Sequence, residues 1–383
     1  RRTFTYEPTF NKVTATTDPL GNLTQFAYDA NGNLTTITDP LLNRTTVTFN
    51  AFGQPLTTTD PLLNTSTFTY DAQGNLATVA DPLGNTTTRH HDAASRLTRQ
   101  TDPRGRPTTF AYDPLNRITV ISDPLGGATR FVYDGNGNLL TVADPRGNAT
   151  TYTYDAMDRV ATRSDPLGRS ESFAYDLAGN LTRHTDRKGQ VATFGYDALN
   201  RRTGATYVDA TVISTYDAAG RLTRVTDSVG GTIANTYDKL DRLTSQTTTL
   251  GEVGYTYDVL GRRTTMSVPG QTPISSSYEV ASRVTSITQG SSLVQVAYDA
   301  ASRRTTLTLP NGVTTQYGYD RASRLTSLTY TRGATGLGNL QYTYDAAGNR
   351  AQVAGSWART GLPQALAGAT YNANNQQLTF GGQ

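Results

Sequence analysis

Aspartate is the residue of this chain with the clearest capacity for chemistry, and it recurs with a regular period. The pair Tyr-Asp stands at Tyr133, Tyr154 and Tyr175, so that each step is 21 residues. Carboxylates can act as catalytic acids and bases, but an enzyme needs them once, whereas a turn needs them in every repeat. We therefore interpret the aspartates as structural turn residues and expect no enzymatic activity.

The three histidines are the other candidates. His90 and His91 are neighbours in a predicted strand, so their side chains point to opposite faces and are poorly placed to bind one metal ion, and His184 stands apart. The chain has no cysteine, which excludes disulfides, thiolate chemistry and Cys-ligated zinc. Oxygen-rich corners can bind calcium, but the glycine-rich nonapeptide pattern of calcium β-rolls is missing. We expect no catalytic residue, no metal and no cofactor.

The Tyr-Asp pair belongs to a repeat that runs through the whole chain. Phe49-Asn50 and His91-Asp92 take its place in two early repeats, and Tyr278-Glu279 and Tyr371-Asn372 are later variants. With Tyr6-Glu7, the pair or a variant of it occurs eighteen times. The signature residues to which we assign a structural role are Tyr28, Asp29, Gly32, Tyr70, Asp71, Gly74, Tyr112, Asp113, Tyr133, Asp134, Gly137, Tyr154, Asp155, Tyr175, Asp176, Gly179, Tyr196 and Asp197.

Each early repeat contains two corners of the form Asp-x-x-Gly-Asn, such as 18–22 and 29–33. The Asp side chain accepts a hydrogen bond from the backbone two residues on, and Gly in fourth place can take a positive φ. Asn tolerates the same conformation, as at Asn116 and Asn200, whereas Ser95 and Asp158 fit it less well. We predict positive φ for Gly32, Gly74, Gly137 and Gly179.

The segments between corners have the length and alternation of β-strands. Phe26 and Tyr28 share one face and Ala27 points to the other. Each repeat is thus predicted to be a hairpin with an aromatic face and a small, polar face, and aromatic side chains of neighbouring hairpins are expected to stack in ladders. A carbohydrate-binding strip of exposed tyrosines is the alternative; packing between repeats is the favoured interpretation.

Three regions follow from the type of corner. Residues 1–205 carry strict Tyr-Asp and Asp-Pro corners, 206–350 keep the Tyr-Asp corner but change the opposite one, and 351–383 are an irregular segment with a last degenerate repeat, all in one continuous array. Trp357, the single tryptophan, is expected in a loop or plug packed on the sheet, with a contact to a partner as the alternative. Arginine becomes regular five residues after the tyrosine, from Arg201 to Arg324. The regular arginine next to a regular aspartate predicts ion pairs between repeats.

Composition excludes several classes of protein. Of 383 residues, 36% are hydrophobic and 17% charged, which favours a sheet one layer deep. The net charge is +3 without a Lys/Arg block, so a nucleic-acid partner is not expected. No apolar run is long enough for a membrane-spanning helix. The chain starts at Arg1 without an initiator Met or signal peptide, and we expect it to be a piece of a longer protein or a processed product.

The repeat resembles the Rhs, or YD-repeat, family. The motifs that carry the resemblance are "YDANGNL" at Tyr28, "YDAQGNL" at Tyr70, "YDGNGNL" at Tyr133, "YDLAGNL" at Tyr175, "YDAAGRLT" at Tyr216 and "YDAAGNR" at Tyr344. The resemblance implies an all-β, antiparallel ribbon of hairpins that spirals into a hollow shell. In bacterial members such a shell encloses a C-terminal toxin, and in teneurins it belongs to a cell-surface adhesion receptor.

The predicted function is therefore structural encapsulation, as part of a shell around a toxin or other cargo. The alternative is an extracellular adhesion or glycan-binding protein. The expected partners are the remainder of a longer shell or a cargo domain, with a cell-surface glycan or protein for the alternative. The expected location is secreted, at the cell surface, or exported with a toxin system. Two strands per repeat make about 34–36 strands and a ribbon of roughly 165 Å, and its open ends suggest a segment of a longer spiral.

Overall fold

A computed structural model describes residues 1–359, 370–372 and 376–379. Every regular element among these residues is a β-strand, 36 in all. Thirty-four of them are assigned to one antiparallel sheet, and the last two form a separate small sheet. The all-β fold and the strand number predicted from the repeat are confirmed.

The strand bounds follow the repeat closely. The first twelve strands are β1 Thr3–Tyr6, β2 Val13–Thr17, β3 Leu23–Tyr28, β4 Leu34–Thr38, β5 Arg44–Phe49, β6 Pro55–Thr59, β7 Thr65–Tyr70, β8 Leu76–Ala80, β9 Thr86–His91, β10 Leu97–Thr101, β11 Pro107–Tyr112 and β12 Ile118–Ser122. The next twelve are β13 Ala128–Tyr133, β14 Leu139–Ala143, β15 Ala149–Tyr154, β16 Val160–Ser164, β17 Ser170–Tyr175, β18 Leu181–Thr185, β19 Val191–Tyr196, β20 Arg202–Thr206, β21 Thr211–Tyr216, β22 Leu222–Asp227, β23 Gly231–Tyr237 and β24 Leu243–Thr248. The last twelve are β25 Gly251–Tyr257, β26 Arg263–Ser267, β27 Ile274–Tyr278, β28 Val284–Gln289, β29 Ser292–Tyr298, β30 Arg304–Thr308, β31 Val313–Tyr319, β32 Leu325–Arg332, β33 Thr335–Tyr344, β34 Arg350–Ala354, β35 Thr370–Tyr371 and β36 Gln377–Thr379.

The strands form two compact units. One unit consists of Arg1–Arg106 with Gly254–Thr360, and the other of Pro107–Val253 with Gly361–Gln383. We call them unit 1 and unit 2. Within each unit, strands pair antiparallel with their neighbours in the chain, as β3 does with β4 and β13 with β14. The division of the sequence at 205 and 350 concerns corner type and stays a prediction.

A β-bulge accompanies each Tyr-Asp corner. In the first full hairpin, Ala27 stands opposite Thr36 but Tyr28 stands opposite Leu34, so that Thr35 is an extra residue. The Thr35 hydroxyl donates a 3.2 Å hydrogen bond to the Ala27 carbonyl oxygen. Because a bulge bends its strand and increases the local twist, a bulge in every repeat bends the ribbon regularly.

The two faces of the sheet differ as the alternation predicts. On one face an aromatic ring stands opposite an aliphatic side chain, as Phe26 does opposite Ile37. On the other face threonines stand opposite each other, and the hydroxyls of Thr69 and Thr78 lie 2.6 Å apart.

Burial is shallow throughout the sheet. Among the described residues only Gly32, Ala192, Ala205, Asp165 and Thr315 are buried, and no side chain is fully buried. A sheet without a thick core needs other contacts to hold neighbouring hairpins together, and these contacts lie at the corners.

Candidate functional site: the repeat corners and the contacts between hairpins

The aspartate of each corner accepts hydrogen bonds from its own turn. At Asp29, Oδ1 accepts bonds from the backbone nitrogens of Asn31 (2.9 Å) and Asn33 (2.8 Å), and Oδ2 accepts one from Asn33 Nδ2 (2.9 Å). The Gly32 nitrogen donates to the Asp29 carbonyl oxygen at 3.0 Å. Asp18, in an Asp-Pro corner, accepts the same three bonds at 2.8–2.9 Å. Both types of corner are therefore closed by the same set of hydrogen bonds.

These bonds favour the ionised form of the carboxylates. The Asn33 side chain, followed by backbone donors, holds the pKa of Asp29 below its usual value, and the Arg159 side chain does the same for Asp155. A carboxylate that is hydrogen-bonded in its ionised form is a weak proton acceptor, which suits a turn residue rather than a general base. The other signature aspartates accept the same backbone bond four residues on, namely Asp71, Asp113, Asp134, Asp155, Asp176 and Asp197.

The fourth corner residue adopts the left-handed conformation that the sequence predicts. The φ values are 77° at Gly32, 84° at Gly74, 96° at Gly137 and 88° at Gly179, and the prediction is confirmed. The residues that replace glycine in this position also have positive φ values, at 64° for Asn116, 59° for Asn200, 61° for Ser95 and 58° for Asp158. Leu42 and Leu63 reach 67° and 66° in corners without glycine, a conformation that is unfavourable for a side chain of this size.

The tyrosine of the pair joins its hairpin to the previous one. The Tyr154 hydroxyl donates a 2.9 Å hydrogen bond to the carbonyl oxygen of Leu139, 15 residues earlier. Burial raises the pKa of the Tyr154 hydroxyl further above neutrality, so the hydroxyl keeps the proton that it donates. Equivalent bonds are made by Tyr28, Tyr70, Tyr133, Tyr175 and Tyr196.

The arginine five residues after a tyrosine makes three contacts. Arg159 binds Asp155 of its own corner through Nε at 2.8 Å and Nη2 at 2.7 Å. Its Nη1 donates to the Asp176 carbonyl oxygen at 2.8 Å, and its guanidinium lies 4.7 Å from the ring centre of Tyr175. The arginine therefore forms its ion pair within one hairpin and stacks on a tyrosine of the next hairpin.

This arrangement recurs along the chain. Guanidinium-to-ring distances of 4.6–5.0 Å join Arg117–Tyr133, Arg159–Tyr175, Arg201–Tyr216, Arg221–Tyr237, Arg262–Tyr278, Arg283–Tyr298, Arg303–Tyr319 and Arg324–Tyr344. We call this series the Arg-Tyr ladder.

The ladder corrects two expectations. Among the described residues, no stacked pair joins the tyrosines of successive Tyr-Asp pairs; where the preceding corner carries an arginine, as at Tyr133 and Tyr175, its guanidinium lies over the tyrosine ring. The ion pairs were expected between repeats, but they lie mainly within one corner, as in Arg159–Asp155 and Arg303–Asp299. Arg221 binds its own Asp217 and also reaches Asp241 of the next repeat at 2.9 Å.

Some corners carry asparagine instead of arginine. Asn138 donates to Asp134 in its own corner at 3.0 Å and to Asp158 in the next at 2.7 Å. Asparagine thus makes the hydrogen bonds without the stacking. The regular spacing of arginine after the tyrosine was the signal from which the ladder could have been found.

The histidines occupy structural positions. His90 is exposed and His91 half-buried on the opposite face, and His91 Nδ1 lies 3.6 Å from Asp71 Oδ2. His184 stacks on Phe173, with ring centres 4.9 Å apart, and its Nε2 lies 3.4 Å from Glu171 Oε2. Within the described part of the chain, no group of three or more His, Asp or Glu side chains is arranged to hold a metal ion.

Trp357 packs on the sheet, as expected. Its ring stacks on Tyr330 with centres 4.4 Å apart, and its backbone nitrogen donates a hydrogen bond to the Asn339 carbonyl oxygen at 3.1 Å. Of the irregular segment 355–368 that surrounds it in the sequence, residues 360–368 lie outside the described residues. The described residues include no helix that is long and apolar enough to span a membrane.

Comparisons with known proteins support one family. Crystal structures described as "TcdB2-TccC3-TEV", "TcdB2-TccC3 without hypervariable C-terminal region" and "TcdB2-TccC3-Cdc42" are similar to this chain, with TM-scores of 0.80, 0.80 and 0.61 and identities of 15%, 14% and 14%. They cover 98%, 93% and 98% of this chain, which spans only 23%, 22% and 32% of theirs. At this identity the likeness concerns the fold alone.

No curated protein matches the chain. The family described as RHS Repeat matches residues 9–42, 49–86, 91–128, 133–170, 175–212, 237–273 and 298–335, which is more than half of the length. The chain therefore belongs to the Rhs repeat family.

Proposed function

We propose that this chain is a wall segment of a shell that encloses a toxin or another protein cargo. The observation that carries the proposal is the Rhs repeat match over more than half of the chain, together with a fold that matches the TcdB2-TccC3-TEV structure over 98% of this chain. In bacterial members of the family the shell encloses a C-terminal toxin.

The contacts between hairpins suit a wall. Hairpins in water are marginal alone, and here they are tied to their neighbours by backbone ladders and, in many repeats, by a tyrosine hydroxyl bond and a stacked arginine. These contacts involve only adjacent repeats, so repeats can be added without a growing core. Such a ribbon can extend around an object larger than itself.

An enzymatic role receives no support from the corners, because their carboxylates are occupied by turn donors. The alternative role in glycan binding is also less well supported. Sugar rings are bound by exposed faces of aromatic side chains, and here guanidinium groups cover one face of Tyr133, Tyr175 and Tyr216. As part of a toxin carrier, the protein would be exported from the cell that makes it.

Protease protection tests the proposal. The complete product of the gene is purified under native conditions and treated with a protease of broad specificity. We expect a segment outside the repeats to resist digestion until the repeat wall is unfolded by denaturant. The same segment, expressed alone, serves as the control and is expected to be digested. Equal digestion of the segment in the native protein and alone would contradict enclosure.

A further inference from the structure

The corner that precedes Tyr70 has neutral side chains where the corners of the Arg-Tyr ladder carry an ion pair. Asn50 and Gln54 hold the positions of the aspartate and the arginine, and Asn50 Nδ2 donates a 2.7 Å hydrogen bond to Gln54 Oε1. Gln54 Nε2 donates onward to the carbonyl oxygen of Gly74 at 2.8 Å. Among the described residues, no guanidinium or ammonium group lies over the ring of Tyr70, in contrast to the ladder tyrosines.

A backbone acceptor beside this ring also lacks a side-chain donor. In a ladder corner the arginine donates to the carbonyl oxygen of the next aspartate, as Arg159 does to Asp176 at 2.8 Å. The equivalent oxygen here belongs to Asp71, and it accepts a 3.0 Å bond from the Gly74 nitrogen but none from a side chain of the described residues. At Tyr70, therefore, neither of the two positions that a guanidinium group takes in the ladder is filled by the chain.

A cavity of 540 Å³ adjoins these two positions, and pockets of about 300–1,000 Å³ are the usual size for ligands. Its apolar lining consists mainly of Phe52, Leu56, Phe68 and Tyr70. Phe52, the third residue of its corner, is 88% exposed. All eleven lining residues lie between 50 and 74, in two consecutive hairpins. The cavity is therefore formed by local sequence and needs no contact from a distant part of the chain.

The charge of the cavity lining is negative. Of the described residues that line it, Asp71 is charged, and none is a lysine or an arginine. Burial pushes the pKa of Asp71 upward, but hydrogen bonds from Asn75 and Gln73 hold it below its usual value, so the carboxylate is ionised at neutral pH. His91 Nδ1 lies 3.6 Å from Asp71 Oδ2, but His91 does not line the cavity. A carboxylate beside aromatic ring faces favours an organic cation.

We propose that this cavity, which we call the Tyr70 site, binds the guanidinium group of an arginine side chain from another polypeptide. The bound group lies over the Tyr70 ring and donates to the Asp71 carbonyl oxygen, as ladder arginines do at 4.6–5.0 Å from their ring centres. Phe52 and Leu56 pack against the alkyl part of the arginine. A planar guanidinium suits the site better than a lysine ammonium, because it stacks on a ring and donates from several nitrogens at once.

The occupant is a side chain of a polypeptide and not free arginine, because a free amino acid would bring its own carboxylate close to Asp71. The proposal does not rest on cargo enclosure. Arginine binding at the Tyr70 site and protease protection of a cargo segment are separate properties, so the two experiments can fail separately.

A missing arginine alone does not make such a site. Tyr154 also follows a corner without arginine, but the third residue of that corner is Asn136. Asn136 and Asn138 both donate to Asp158 of the next corner, at 3.0 Å and 2.7 Å. Bonds between the two corners bridge the gap there, whereas at Tyr70 an exposed phenylalanine and a cavity stand in the corresponding place.

Ligand-observed NMR titration of the intact protein tests the proposal. The probe is a pentapeptide with blocked ends that carries one arginine between glycines. We expect saturable binding that is at least about fivefold tighter than that of the same peptide with citrulline, which has a similar shape but no charge. Free arginine should bind more weakly than the peptide. Equal binding of the arginine and citrulline peptides would overturn the proposal, and so would the lack of saturable binding by the arginine peptide.

A restored corner shows where the peptide binds. Asn50→Asp with Gln54→Arg recreates the pair that the chain already uses at Asp155 and Arg159, so the new guanidinium should cover Tyr70 and abolish peptide binding. Circular dichroism verifies that the variant keeps its β structure. Peptide binding of unchanged strength in this folded variant would place the peptide elsewhere and refute the Tyr70 site.

The exposed phenylalanine has a matched control. Phe52→Ala removes one wall of the cavity and should weaken peptide binding by about fourfold, the effect of exposing one methylene group. Leu199 is also the third residue of a corner and is 71% exposed, but Arg201 of its corner already lies 4.7 Å from the next ring centre, at Tyr216. Leu199→Ala should therefore leave binding unchanged. An equal loss of binding in both variants would contradict a specific site at Phe52.

Discussion

The hydroxyl of Tyr154 donates a 2.9 Å hydrogen bond to the carbonyl oxygen of Leu139 in the preceding hairpin. The bond joins a side chain to the backbone at a bulge, where Tyr133 stands opposite Leu139. A tyrosine at this position therefore does two things, since its ring fills the aromatic face and its hydroxyl satisfies a carbonyl that the bulge leaves accessible. Phenylalanine would do only the first.

Removing this hydroxyl is the first prediction. Tyr154→Phe leaves the Leu139 carbonyl without its donor and should lower the free energy of unfolding by about 1–2 kcal/mol. Tyr154→Ala also removes the ring and should cost about 3–5 kcal/mol. Denaturant unfolding measures both. Tyr152→Phe, in the same strand but with no hydrogen bond to the described residues, is the control and should change little. Equal midpoints for Tyr154→Phe and the unmodified chain would show that the bond is not needed.

The second prediction concerns the Arg-Tyr ladder. Arg159→Lys keeps the charge but loses the planar group that binds Asp155 through two nitrogens and stacks on Tyr175. The stacking alone should account for about 0.5–1 kcal/mol of stability at such a partly exposed site. Arg130→Lys, at an exposed arginine of β13, provides the comparison. A chemical unfolding midpoint that falls no further for Arg159→Lys than for Arg130→Lys would refute a role for the ladder.

The third prediction uses two strained leucines. Leu42 and Leu63 have φ values of 67° and 66° in the corner position that glycine usually holds. This conformation costs a residue with a side chain about 1–2 kcal/mol, and glycine adopts it freely at a smaller entropic cost of about 0.5–1 kcal/mol. Leu42→Gly and Leu63→Gly should therefore each raise stability by about 0.5–1 kcal/mol. Leu41→Gly, one residue earlier, relieves no strain and should not stabilise. A decrease in the melting temperature of both corner variants would contradict the strain argument.

The fourth prediction is a dependence of stability on acid. Hydrogen bonds, first from the side chains of Asn33 and Arg159, hold the pKa of Asp29 and Asp155 below the unfolded value. Depressed folded pKa values contribute stability that is present above the unfolded value of about 3.9, and it is lost as the pH falls through the lower folded values. Thermal melting across this acidic range should show a steep fall. Asp155→Asn should make the fall shallower, since Asn50 already closes a corner without a carboxylate, with bonds of 2.9 and 3.0 Å to its turn. An unchanged dependence of the melting temperature on pH in Asp155→Asn would argue against a contribution of the corner carboxylates to acid sensitivity.

The fifth prediction concerns Trp357, the only tryptophan. Gly338 lies directly beneath the indole, and a Cβ there would collide with Trp357 Nε1 and Cδ1. Gly338→Ala should therefore displace the indole from Tyr330 and change its fluorescence. At Gly336 an added Cβ would meet open space, so Gly336→Ala is expected to leave the emission unchanged. Identical spectra for both variants would show that the indole does not depend on this close approach.

Local chemistry made much of this fold predictable from the sequence. The positive φ of Gly32 follows from a corner whose donors and acceptors lie within four residues of each other, and the alternation of Phe26, Ala27 and Tyr28 requires only the pleat of one strand. Such features repeat because the same short segment repeats, so the number of strands could be obtained from the number of Tyr-Asp-type pairs.

Contacts between hairpins were decided only by the tertiary structure. Whether Tyr175 meets another tyrosine or Arg159 depends on the stagger between neighbouring hairpins, which the bulge at each corner sets and which no single repeat contains. The contact of Arg104 with Asp345 depends on where the chain returns after 241 residues, a sum of small bends from many repeats. The period of the sequence specifies one repeat and its contacts with the next, whereas the accumulated curvature of the ribbon determines which distant corners meet.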